Sequence, residues 1–146
     1  AAAWLISRSC IEKVGLFDPF FFHYSEDRNF CHRTIYHGYK IGICPQLMVI
    51  HDRENRKITE DKNELRKMVF REEIANLLDI RKDNFERGYK IKKHHKIKLL
   101  AKSFLKFNID EFIQTLNELW YLKKNRSSMV KSFETNRVGG SAYLKV

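Results

Sequence analysis

The stretch His23-Tyr24-Ser25-Glu26-Asp27-Arg28-Asn29-Phe30-Cys31-His32-Arg33 sets two adjacent carboxylates at the head of a segment with helical spacing. Ser25 is a good N-cap, and Phe30, Cys31, Thr34 and Ile35 recur at helical intervals until Gly38 ends the run. Asp27 precedes those positions by three, four, seven and eight steps, which predicts that it lies on the inward face in the first turn. Acids in a first turn complement the helix macrodipole by roughly 0.3–1 kcal/mol, and for the dipeptide taken alone that explanation suffices. An acid on an apolar face needs more: it is paired, by Arg28 or Arg33 for instance, or it is used. The same dipole favours the ionised form that a general base requires.

Upstream, Ala2 to Ser7 reads as a short buried strand, Ser9 and Glu12 as a capping-box pair opening one or two helical turns, and Gly15 as their stop. Leu16 to Tyr24 is an extended aromatic stretch broken by the turn signal Asp18-Pro19. Downstream, Tyr39 to Cys44 and Leu47 to Ile50 are strand candidates hinged at Pro45, the second running into His51. Asp52 to Asn63 is polar and reads as an exposed connection. From Glu64 the pattern turns helical: Leu65, Met68 and Val69 with Ala75, Leu77 and Leu78, then Ile97, Leu100, Phe104 and Phe107, then Phe112, Leu116, Leu119 and Trp120. Three helices are expected, the last capped by Asp110. The expected fold is therefore α/β over the first third and mainly α-helical after it. Units are drawn at 1–55, a helical extension at 56–126 and a loosely held tail at 127–146, marked by Ser127-Ser128 and Gly139-Gly140.

A hydrophobic content of 43% over 146 residues is enough for a real core, so disorder is not the default. The formal charge of +10 favours anionic partners without choosing among phosphates, nucleic acid and a membrane surface. Three cysteines without a Cys-x-x-Cys pair indicate neither a disulfide framework nor a zinc finger. No apolar run approaches the roughly 20 residues of a membrane-spanning helix, and Ala1 to Ile6 is too short for a secretory signal. The expected location is cytoplasmic, with peripheral attachment at the inner membrane face. The abrupt start in strand-like sequence leads us to expect a piece of something longer.

The basic run Arg87 to Lys98 is most simply a solvated surface. With Leu99, Leu100, Phe104 and Phe107 beside it, an interfacial amphipathic helix over Lys90 to Phe107 is an equal alternative. His94 and His95 are adjacent and so cannot share a helix face as metal ligands. There is no glycine-rich phosphate loop, no Gly-x-Ser-x-Gly elbow and no metalloprotease helix.

In order, the chain has Arg8, Val14-Gly15-Leu16-Phe17-Asp18, Phe20 to Phe22, Tyr24, Glu26-Asp27, Cys31-His32-Arg33, Gly38-Tyr39, Pro45 and His51. Residues 1–52 thereby resemble the C-terminal part of the catalytic domain of family-2 inverting glycosyltransferases of the GT-A fold, the rhamnosyltransferase-like group especially. The resemblance implies transfer of a sugar from a nucleotide-sugar to a glycan or lipid-linked acceptor, with inversion, in bacterial polysaccharide synthesis. It makes Asp27 the general base and Glu26 the residue that orients acceptor or base. It sets Trp4 and Arg33 at the acceptor and His51 at a divalent metal, Mn or Mg, or at the diphosphate. Two departures stand out: Asn29 occupies a position where the family often has a further acid, and no Asp-x-Asp metal triplet occurs. The metal and the donor are accordingly expected only with a nucleotide-binding half that these residues lack, and the piece alone is expected to be inactive. Homo-oligomers are compatible with this reading. The competing expectation is a basic helical module for nucleic acid or protein. Nucleic acid is the weaker choice, because ordered acids and aromatics in the first half serve no such binding.

Overall fold

The computed structural model describes residues 3–21, 24–50, 61–140 and 143. They form α1 (Arg8–Val14), α2 (Glu26–Tyr36), α3 (Lys62–Leu77), α4 (Phe85–Leu105), α5 (Ile109–Lys124) and α6 (Arg126–Val138). Among the described residues there is no strand, so the α/β expectation, with its partial GT-A sheet, is corrected to an all-helical fold. A strand needs a neighbour to take its backbone N–H and C=O groups. Residues 3–7 keep a strand's alternation, with Trp4 and Ile6 against a small core and Leu5 facing solvent, but among the described residues no second strand lies beside them. Residues 40–50 are irregular and exposed throughout, turning at Pro45 through a Leu47 N–H to Cys44 carbonyl hydrogen bond of 3.3 Å. His51 and residues 52–60 of the expected polar connection lie outside the described residues.

Local chemistry sets the helix ends. Ser7, not Ser9, caps α1 by accepting from the Cys10 N–H, and Glu12 pairs with Arg8 at 2.8 Å instead of closing a capping box. Gly15, at φ +83°, ends α1 as expected. Asp61, Asn84 and Asn108 cap α3, α4 and α5 with their side chains, so Asp110 sits inside the first turn of α5 and is not its cap. Among the described residues four helices, not three, lie from Lys62 onward. The fourth, α6, occupies much of the stretch read as a loose tail and is held by buried Met129, Phe133 and Asn136.

The main core joins the end of α3 (Ile74, Ala75, Leu77), the turn residues Leu78 and Ile80, the start of α4 (Phe85, Tyr89), the end of α5 (Leu122) and α6. Phe21, from the aromatic stretch before α2, is buried in the same core. A smaller cluster of Cys10, Val14 and Phe30 packs α1 on α2, with Trp4, Ile6 and Tyr39 around it. The smaller cluster holds α2 through Phe30, and Phe21 ties the loop before α2 to the main core.

Candidate active site at the start of the second helix

α2 carries an inward face that is unusually polar: Asn29, His32, Arg33 and Thr34 are buried with Phe30. Half-buried Glu26 and buried Asn29, Phe30, Arg33 and Thr34 follow the three-four spacing of one helix face. The sequence reading placed that stripe one residue later, starting at Asp27, with Ile35 inside; Ile35 is exposed. The rotation is set by Arg33, whose guanidinium donates to the carbonyls of Leu16, at 2.7 Å, and Val14 and thereby draws a polar side chain inward. Gly15 lies under this contact, where an added Cβ would meet Arg33 Nη2 at 3.2 Å and the Gly140 carbonyl at 3.1 Å.

The approach to the acids is strained. Tyr24 and Ser25 both take positive φ, +67° and +70°, a conformation that costs of order 1–3 kcal/mol per non-glycine residue and that collects at functional sites. Ser25 begins the helix, as expected, but in the left-handed conformation and without a side-chain cap. Asp27 is half-buried and its Oδ1 accepts from the Arg28 backbone N–H at 2.7 Å. Burial pushes its carboxyl up, and the hydrogen bond from the Arg28 N–H pulls it down. Its charge is felt one turn on, where burial and then Asp27 push the Cys31 thiol up. Glu26 presents a buried Oε2 with no hydrogen-bond donor among the described residues, and there too the buried Asn29 Oδ1 has no donor and its Nδ2 no acceptor.

The arginines expected as structural partners of Asp27 are engaged elsewhere, Arg28 with Glu72 of α3 at 3.3 Å and Arg33 with the two carbonyls. Trp4 is half-buried, its ring centroid 5.3 Å from that of Phe30 and 5.8 Å from that of Phe17. The Arg33 guanidinium lies 5.8 Å from the same Phe30 ring. Phe30, three residues on from Asp27, is thus where Trp4, Arg33 and the acid-bearing helix meet. His51 is not among the described residues. Among those that are, no three His, Cys, Asp or Glu side chains gather to hold a metal.

Sequence reasoning missed a cavity of about 370 Å³ beside Tyr24, walled by Phe20, Tyr24, Phe70 and Tyr121, with Lys67 and Arg71 as its charged members. Arg71 lies over the Tyr24 ring at 5.5 Å, and Phe70 meets Tyr121 edge-on at 5.6 Å. The available signal was Phe70, an aromatic in a segment otherwise rich in charge. No protein-family model, curated protein or solved structure matches the chain.

Proposed function

We propose that the chain supplies the acceptor-activating carboxylates of an inverting glycosyltransferase. The observation that carries this reading is the pair at the start of α2: Asp27, whose Oδ1 accepts from the Arg28 N–H at 2.7 Å, next to a Glu26 whose buried Oε2 has no hydrogen-bond donor among the described residues. An ionised carboxylate can take a proton, and an unmet acceptor can take a hydrogen bond from a sugar hydroxyl.

In this mechanism Asp27 removes the proton of the acceptor hydroxyl as its oxygen bonds to the anomeric carbon of the nucleotide-sugar. The bond from that carbon to the diphosphate oxygen breaks with its electron pair leaving on the diphosphate, and attack from the opposite face inverts the centre. Glu26 holds the acceptor by a second hydroxyl, and the aromatic cavity beside Tyr24 seats its less polar part. Donor recognition is assigned to a nucleotide-binding half that is not among these 146 residues, and no step here runs through a metal.

The test is transfer by the gene product that carries this chain. Asp27→Asn removes the base without changing shape, so turnover falls by roughly 10²–10⁴-fold with donor affinity retained. Transfer at the normal rate by that variant would falsify the assignment.

A further inference from the structure

The α4–α5 hairpin is built with its polar side inward. Lys96 and Ser103 of α4 and Thr115 and Glu118 of α5 are the buried residues along its length, until Tyr89 and Leu122 reach the main core. The outer side is apolar. Ile109, Ile113, Leu116 and Trp120, spaced four, three and four, make one stripe along α5, and Ile109 and Trp120 are 70% and 60% exposed. At the turn Leu105 is 77% and Phe107 90% exposed, with Phe107 at φ +53°. Phe104, also exposed, stands 6.1 Å ring to ring from Phe112, which joins the tip to the α5 stripe. A helix that turns its apolar side to water and its polar side to a neighbour presents a face meant to be covered.

Charge selects the cover. Lys123 and Lys124 close the far end of the α5 stripe, with Lys124 Nζ 4.5 Å from the Trp120 ring centroid. Lys102 and Lys106 adjoin the tip, and exposed Lys90 and Lys93 continue the α4 line of Ile97 and Phe104 at helical spacing. The acids of α5 stand off this face or are occupied. Glu118 is inside with Lys96 at 2.8 Å, Glu111 accepts from Asn108, and Asp110 lies beside the stripe.

From this placement we propose that the α4–α5 hairpin docks on an anionic lipid surface. The apolar tip and stripe enter the headgroup–acyl boundary, Trp120 sits at the interface and the lysines meet lipid phosphates. Trp120 is about 16 Å along the helix from Ile109, more than the roughly 5–10 Å such helices sink, so the hairpin lies along the surface on its stripe. No helix among the described residues is long and apolar enough to cross a membrane. The inference stands apart from the glycosyl-transfer reading.

The experiment is sedimentation of the chain with phosphatidylglycerol-containing vesicles and with pure phosphatidylcholine vesicles, at low and high salt. Trp120 emission is followed in a Trp4→Phe background. The expected result is binding to the anionic vesicles, weakened by salt, with a blue shift. Phe107→Ser with Ile109→Ser, both at exposed sites, should lower binding about tenfold or more with the helical circular dichroism unchanged. Lys123→Gln and Lys124→Gln should each cost about fivefold. Failure to bind anionic vesicles overturns the proposal, as does binding that survives both sets of changes. A monomer–dimer equilibrium abolished by the two serines would also overturn it, assigning the face to a second copy of the chain.

Discussion

The Arg33 guanidinium donates to the Leu16 carbonyl at 2.7 Å from a position that is 1% exposed. With its second bond to Val14, it ties the loop after α1 to the middle of α2 and so sets the rotation that turns Glu26 inward. Arg33→Met leaves two carbonyls without donors and should destabilise the fold by about 2–4 kcal/mol. Arg33→Lys should recover little of it, because an ammonium cannot reproduce the planar fork. Urea unfolding followed by far-UV circular dichroism reads both. A midpoint unchanged in Arg33→Met would show that α2 is held by its apolar contacts alone.

Asp18 is the second anchor, and it reaches across more than a hundred residues. It is buried and accepts from Ser132 at 2.6 Å, from Asn136 at 2.7 Å and from the Phe20 N–H at 2.9 Å. The aromatic loop before the acids therefore rests on α6. Asp18→Ala should cost about 3 kcal/mol, and a double-mutant cycle with Asn136→Ala should return a coupling of about 1–2 kcal/mol. Strict additivity of the two substitutions would mean that the contact contributes nothing.

How far the sequence reached is visible at these two anchors. Asp18-Pro19 was legible as a turn because the Asx geometry is local, and the stop at Gly15 was legible because its positive φ needs no partner. The partnership of Asp18 with Ser132 and Asn136 was not, since nothing at those positions marks them as donors to a residue so distant. The phase of α2 was misread because the apolar spacing of Phe30, Cys31, Thr34 and Ile35 assumes that burial is apolar, whereas Arg33 and Asn29 take the inner face. The helical spacing of Leu116 and Trp120 was legible, but not that both would be exposed. The short strands were read from local alternation, which persists at Trp4 and Ile6, but a sheet is a property of neighbours.

His32 gives the fold a pH dependence in the mildly acidic range. It is buried on α2 with Nδ1 3.6 Å from Asp79 Oδ1, and burial holds its imidazole below the usual 6.5, Arg81, Arg28 and Lys82 adding to burial and Asp79 opposing it. A histidine depressed in the folded state binds its proton more readily when unfolded, so the unfolded form gains as pH falls below about 6.5. Stability should therefore decline as pH falls below about 6.5 toward the lower folded value, and His32→Gln should flatten that part of the profile. Asp79, held low chiefly by its bonds to Arg81 against the upward push of burial, adds a separate loss only below its ordinary 3.8. Thermal midpoints across the range decide the matter. An equal slope in His32→Gln would remove the histidine from the account.

Lys96 shows that the basic run is not all surface. It is buried between α3 and α5, with Nζ 2.9 Å from Glu73 and 2.8 Å from Glu118, while Arg66 reaches Glu118 at 2.9 Å. Removing one member of a buried ionic group leaves the other charges uncompensated, so Lys96→Met should cost about 3–5 kcal/mol. Adding Glu73→Gln should restore part of that loss, because without Lys96 the Glu73 carboxylate keeps only Lys92, at 3.4 Å, whereas Glu118 keeps Arg66 at 2.9 Å. The acid limb carries a second signature. Burial raises the Glu73 carboxyl, but Lys96 and Lys92 outweigh it and hold it below its ordinary 4.5. Its stabilising share is thus present above about pH 4.5 and is lost as pH falls through the lower folded value. Without Lys96 that folded value rises, so acid unfolding of the variant should begin at higher pH than in the parent. Acid titrations of the two proteins that superimpose would show that Glu73 does not depend on Lys96 for its charge.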